Sequence, residues 1–151
     1  MNIGSGNGYP SSALSNFAPH PFVIDGVECN SMEGFLQSLK FKDFQMQRYV
    51  CTLVGKQAKF KGKGKKWYEK QILYWNAKEY YRSSKEYQDL LDRAFNELGK
   101  NSGFRKALES TRYSTLTHSI GRTKITETVL TVREFCSRLE NLRERYRNEN
   151  M

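Results

Sequence analysis

Apolar residues recur at helical intervals in three separate blocks, and each block opens on a residue suited to capping a helix. In the last block Val132, Phe135, Leu139, Leu142 and Tyr146 follow one another at steps of three and four, behind Thr131 and Glu134 at capping-box spacing. In the second, Ser83-Ser84-Lys85-Glu86 leads into Tyr87, Leu90, Leu91, Ala94, Phe95 and Leu98 on one face, with Gly99 as a stop. In the first, Asn30-Ser31-Met32-Glu33 places a glutamate three positions after a capping residue, and Met32, Phe35, Leu36 and Leu39 form the stripe behind it. Such one-sided helices must share a core. Further helices are expected at about Phe44 through Val54, Lys66 to Tyr81 and Ser102 to Glu109. Phe22-Val23-Ile24 and Val27-Glu28-Cys29 flank Asp25-Gly26, the strongest short-range signal for a β-hairpin. The expected fold is α+β and predominantly helical, a single compact domain with a small N-terminal β-hairpin. Glycines at 4, 6 and 8 and the run Ala18-Pro19-His20-Pro21 make the opening irregular. Residues 1–13 are therefore expected as a flexible segment, and residues 14–147 as the domain.

Several function classes fall away at once. No run approaches eighteen apolar residues, and MNIGSGNGYP lacks the basic and apolar regions of a secretory signal. Cys29, Cys51 and Cys136 are odd in number, far apart and without metal-ligand spacing. They read as reduced thiols of a cytoplasmic protein, which excludes a disulfide scaffold and a zinc module. His20 and His118 have no ligand-spaced neighbours, so no metal site is expected. The 25 Lys+Arg against 16 Asp+Glu leave a charge of +9, which favours anionic partners: nucleic acid, nucleotides or phosphorylated metabolites.

Three segments hold residues with chemistry. On the first helix Glu33, Gln37 and Lys40 share one stripe, so a carboxylate, an amide and an ammonium point the same way. They suit the rim of a sugar-phosphate site, or equally a glutamate capping its helix beside two solvated side chains. Lys56 to Trp67 carries six lysines, and with Gly55 three glycines. Nothing there matches a Walker A loop, and the segment reads either as an anion contact or as a mobile basic loop. Trp67, Tyr68, Tyr74, Trp75, Tyr80 and Tyr81 crowd the expected third helix, where they stack bases or fill the core. No Ser-His-Asp set and no nucleophile elbow is present.

Leu14-Ser15-Asn16-Phe17, then Asp25-Gly26, then Met32-Glu33-Gly34-Phe35-Leu36-Gln37 through Lys40-Phe41 resembles the signature of the NADAR superfamily, the YbiA-like proteins. That signature joins an S-N-F loop, a D-G hairpin and a helix reading roughly E-H-x-x-Q-x-x-K-F. Ala58 to Lys63 followed by Trp67, and the ending with Leu108, Thr111, Leu116 and Gly121, are similar to later parts of the family. The likeness runs from Leu14 to about Leu142 and is most specific in its first third. It implies a mainly helical α+β fold and cleavage of N-glycosidic bonds in phosphorylated ribosyl or ADP-ribosyl compounds, including ADP-ribosylated guanine in nucleic acid. It implies no cofactor, no metal and no membrane. Glu33 stands at the family's functional glutamate. Asn16, Phe17, Gln37 and Lys40 match positions expected to line the ribose and phosphate pocket, Gly62 and Lys63 match the loop near the phosphates, and Trp67 and Phe17 offer aromatic faces. Two departures stand out. Gly34 replaces the family's histidine, removing a polar group from the site. Thr117-His118-Ser119-Ile120-Gly121 keeps a glycine but lacks the acid and the Trp-Gly pair, which makes His118 and Gly121 candidate site residues. The ranked readings are an N-glycosidase, then a non-catalytic ADP-ribose or nucleotide binder, then a basic nucleic-acid-binding protein.

Overall fold

Ser31 decides how the first amphipathic helix begins. In the computed structural model, which describes residues 1–151, its hydroxyl accepts the Gly34 N–H at 3.0 Å and donates to the Leu53 carbonyl at 3.0 Å. Helix α2 (Met32–Ser38) therefore starts on a serine cap. Ahead of it lie the short helix α1 (Ser11–Leu14) and a hairpin of β1 (Phe22–Ile24) and β2 (Val27–Cys29). Asp25 and Gly26 both take positive φ, as a tight two-residue hairpin turn requires. Phe22, Ile24, Val27 and Cys29 face the core while Val23 and Glu28 face water. The turn is also pinned from afar, because Asp25 accepts hydrogen bonds from Trp75 Nε1 at 2.9 Å and Arg93 at 2.6 Å.

After α2 come α3 (Phe44–Cys51) and α4 (Gly55–Lys63). The lysine-rich run expected as a loop is thus helical for most of its length. Ala58 and Gly62, four apart, form a smooth buried strip that lets α4 lie close on α2, and the lysines turn outward. A Cβ at Gly62 would sit 1.9 Å from Gln37 Oε1, so the contact tolerates no side chain as it stands.

Residues 66–81 correct the expectation most sharply. In place of a helix there is one 3-10 turn (Trp67–Glu69), then β3 (Ile72–Trp75) and β4 (Lys78–Tyr81) as an antiparallel hairpin. Leu73, Trp75 and Tyr80 are buried, and branched and aromatic side chains suit a pleated surface. Asn76 and Ala77 make the turn, both at positive φ. Gln47 locks this hairpin to α2: its amide donates to the carbonyls of Ser38, Phe41 and Tyr74 at 2.8 to 3.1 Å.

The remaining helices follow the sequence. Ser84 caps α5 (Lys85–Leu98), Asn101 caps α6 (Ser102–Ser110), and Thr131 with Glu134 closes a full capping box on α7 (Val132–Glu149). Their apolar faces join α2 and both hairpins around one core, in which Phe35 meets Trp75 edge-on at 5.0 Å. The fold is α+β, mostly helical, in a single compact domain. Residues 1–13, expected as a flexible segment, are tied in at both ends. Ile3 is fully buried, Asn2 forms a parallel bridge with Thr117, and Ser11 lies in α1. The reason is long-range: the partner strand residue is more than a hundred positions away, and nothing near Ile3 in sequence announces it.

Candidate functional site

Glu33 is the second residue of α2, and the capping hydrogen bond goes to Gly34 instead. Its carboxylate is therefore free of the helix terminus and faces a cavity of about 310 Å³. Its backbone N–H donates to the Asn16 carbonyl at 3.0 Å, and Phe17 N–H donates to Ser15 Oγ at 3.2 Å, so the Ser-Asn-Phe turn is latched onto the helix start. One turn further, Gln37 Nε2 donates to Glu33 Oε1 at 3.0 Å.

Burial pushes the Glu33 carboxyl above the ordinary carboxylate range. The Gln37 hydrogen bond and the positive fields of Lys40, Lys59 and His118 oppose that rise without cancelling it. Burial likewise holds the Lys40 ammonium below the usual lysine range, against the attraction of Glu33. Gln37 itself is buried, and its Oε1, pressed against Gly62, has no hydrogen-bond partner. An unsatisfied buried acceptor costs about 1–3 kcal/mol.

The other wall comes from the chain before α7. His118 Nδ1 lies 2.8 Å from the Ile3 carbonyl, which can only accept, so Nδ1 carries the hydrogen and Nε2 is the nitrogen left for the cavity. The ring rests edge-on against Phe135 at 5.3 Å. A Cβ on Gly121 would meet His118 Cδ2 at 2.6 Å, so the glycine lets the imidazole lie flat against the chain. Trp67, almost fully buried, closes the floor toward a second, more open trough that holds Lys59, Lys63, Lys65 and Arg122.

Asn16, Phe17, Glu33, Gln37, Lys40, Trp67, His118 and Gly121 thus line one cavity, although they span more than a hundred residues of chain. Lys63 lies in the adjoining trough, and Gly62 is beneath the wall, where it acts through its missing side chain. Gly34 points away from the cavity: a Cβ there would lie 2.5 Å from the Leu53 carbonyl, so its lack of a side chain serves helix packing and removes nothing from the site. Lys59, Arg122 and Glu127 also line the cavity, and the sequence did not single them out. Lys59 was one lysine among six, and only the pitch of α4 selects it.

The stretch 126–131 is held by a cluster that sequence reading missed. Arg82, 1% exposed, donates from Nε to the Thr128 carbonyl at 2.7 Å and from both terminal nitrogens to Glu134 at 3.0 and 2.6 Å. Tyr87 donates its hydroxyl to the Val129 carbonyl at 2.5 Å, and Gln71 donates to Thr126 at 3.0 Å. Burial raises the Glu134 carboxyl, yet hydrogen bonds from Arg82, the Thr131 N–H and Gln88 together hold it below the ordinary range. This pair is mechanical: it fixes the back wall.

The fold is YbiA-like. The NMR structure of the E. coli protein YbiA superposes with a TM-score of 0.63, at 19% identity, over 99% of this chain and 86% of that one. More narrowly, the chain belongs to the family described as Bacteriophage protein GP30.3, whose model matches residues 8–144. It is 38% identical over 148 residues to an uncharacterised 17.1 kDa protein of the Gp30-rIII intergenic region of Enterobacteria phage T4, covering 95% of this chain and 97% of that protein. No helix is long and apolar enough to cross a membrane.

Proposed function

We propose that this protein is an N-glycosidase that hydrolyses the bond between a ribosyl carbon and a base nitrogen in a phosphorylated ribosyl or ADP-ribosyl compound. The observation that carries the reading is Glu33, a carboxylate released from helix capping and facing a cavity whose other charged groups are mostly cationic: Lys40, Lys59 and Arg122 against Glu127. Loss of a base leaves positive charge on the ribose ring, and a carboxylate beside that ring stabilises it or takes a proton from the attacking water. A carboxyl pushed upward by burial suits the second task at neutral pH. The cations suit phosphate oxygens, with Lys63 and Lys65 in the next trough extending the anionic reach. Phe17 and Trp67 offer faces to the base or ribose. The YbiA-like fold agrees with this reading, and the three buried, unpaired cysteines suit a reducing, cytoplasmic setting.

The test is mass-spectrometric turnover of wild type and Glu33→Gln on ADP-ribosylated guanosine DNA, NAD and ribosylamino-pyrimidine phosphates. Release of ADP-ribose or ribose phosphate by the wild type alone is the expected result, and equal turnover by both proteins rejects the assignment. A second reading, a nucleotide or ADP-ribose binder without chemistry, is favoured by residues 117–121, which lack the acid and Trp-Gly pair of the resemblance. Saturable binding without product from any of these compounds selects it. A modified nucleic acid as partner would run over α4, where Lys56, Lys61 and Phe60 are exposed, and its binding should fall steeply with salt.

A further inference from the structure

A base nitrogen leaves a ribose slowly unless a proton reaches it as the bond breaks. The cavity offers few donors for that proton. Arg122 does not release its hydrogens in water, Lys40 lies just past the end of α2 and reaches toward the Gly62 carbonyl at 3.5 Å, and Lys59 sits on the exposed face of α4. His118 stands on the opposite chain segment, and its orientation is set from behind. Ile3 N–H donates to the Thr117 carbonyl at 2.8 Å, Thr117 N–H donates to the Met1 carbonyl at 2.9 Å, and the Ile3 carbonyl holds the imidazole Nδ1. With Nδ1 occupied in both protonation states, any proton that His118 gains or gives must pass through Nε2, and the residue lines the cavity.

We propose that His118 is the general acid of the reaction, working across the cavity from Glu33, and that residues 1–3 are the strut that aims it. This rests on the N-glycosidase reading and adds the second proton to it. In the step, the C–N bond breaks with its electron pair on the base nitrogen, which takes the proton from His118 Nε2. Water oxygen bonds to the ribosyl carbon and yields its proton to Glu33. Imidazole ends neutral, Glu33 ends protonated, and exchange with solvent restores both. The charged groups around the pair are Lys40, Lys59, Arg122 and Glu127, with the Phe135 ring behind His118.

The experiment compares two probes with wild type, His118→Asn and Glu33→Gln: a ribosylamino-pyrimidine phosphate, and para-nitrophenyl riboside phosphate, whose phenolate leaves without a proton. Asparagine keeps a donor for the Ile3 carbonyl and deletes Nε2. His118→Asn is expected to slow the pyrimidine substrate by about 100-fold or more, and the nitrophenyl one by about tenfold or less. It should also erase the alkaline limb of the pH–rate profile on the pyrimidine substrate. Glu33→Gln slows both probes alike. An unchanged circular dichroism spectrum and melting temperature for His118→Asn guard against a folding defect. Equal loss on both probes, or no loss, overturns the general-acid role while the N-glycosidase reading stands. A wild type inactive on both probes, on NAD and on ADP-ribosylated guanosine DNA overturns that reading, and this inference with it.

Discussion

Glu33 and Glu134 occupy nearly the same place, each within the first turn of a serine- or threonine-capped helix, and they end in opposite states. Glu134 is the third residue of α7, so its side chain turns back to the cap and accepts the Thr131 N–H at 2.7 Å. There it also meets both arms of Arg82 and the Gln88 amide at 2.6 Å. Glu33 is the second residue of α2, about 100° round the helix from the capping position, and one amide donates to it. Four donors hold one carboxyl below its ordinary range, and burial with a single donor leaves the other above it. A one-residue offset from the cap separates a structural carboxylate from one that is poised to exchange a proton.

Breaking the satisfied site should cost the most. Arg82→Ala strands Glu134 as an unpaired buried charge, and a loss of about 3–5 kcal/mol is expected in denaturant melts. Because the Glu134 carboxyl is depressed in the folded protein, its stabilisation is present above the ordinary carboxylate range and disappears as pH falls through the lowered value. The acid limb of the stability profile should therefore flatten in Arg82→Ala. At the unsatisfied site the large effect is on chemistry: Glu33→Gln should lower turnover about 1000-fold with the fold retained, read by the product assay and by circular dichroism. Lys40→Met is a smaller change. It should weaken a phosphorylated ligand about tenfold by calorimetry, and move the acid limb of the turnover profile upward, since Lys40 is one of the charges favouring ionised Glu33.

The smallest prediction sharpens the contrast. A carboxyl raised in the folded state stabilises the protein when protonated, at low pH, and that contribution is lost as pH rises through the raised value. Glu33→Gln should accordingly melt about 2 °C higher than wild type at neutral pH, and the gain should vanish below the ordinary carboxylate range. A lower melting temperature at neutral pH would mean that Glu33 is a structural group after all, like Glu134.

Helices α2, α5, α6 and α7 are legible because their apolar spacing and caps lie within a few residues of one another. Glu33 and Gln37 are legible for the same reason, since helix pitch aligns them, and Lys40 follows just past the end of α2. Hairpin β3–β4 is not. Its turn is Asn76-Ala77 with no glycine, and its aromatics read as a helical cluster until the burial of Leu73, Trp75 and Tyr80 imposes the alternation of a strand. The lysine run hides a helix because only two small residues, Ala58 and Gly62, form its buried face.

Local pattern by itself therefore determined the helical class, the hairpin at Asp25-Gly26, the capping box of α7 and the helix face that carries Glu33. The Asn30–Glu33 spacing made no second box, because Ser31 caps α2 through the Gly34 N–H. Tertiary structure alone decided which of the six lysines meets the cavity, that Ile3 aims His118, and that Arg82 clamps Glu134 and the 126–131 stretch. The first group depends on periods of two to four residues, which are written along the chain. The second depends on pairings across 46 to 115 positions, and those exist only after the core has closed and brought the partners within hydrogen-bond distance.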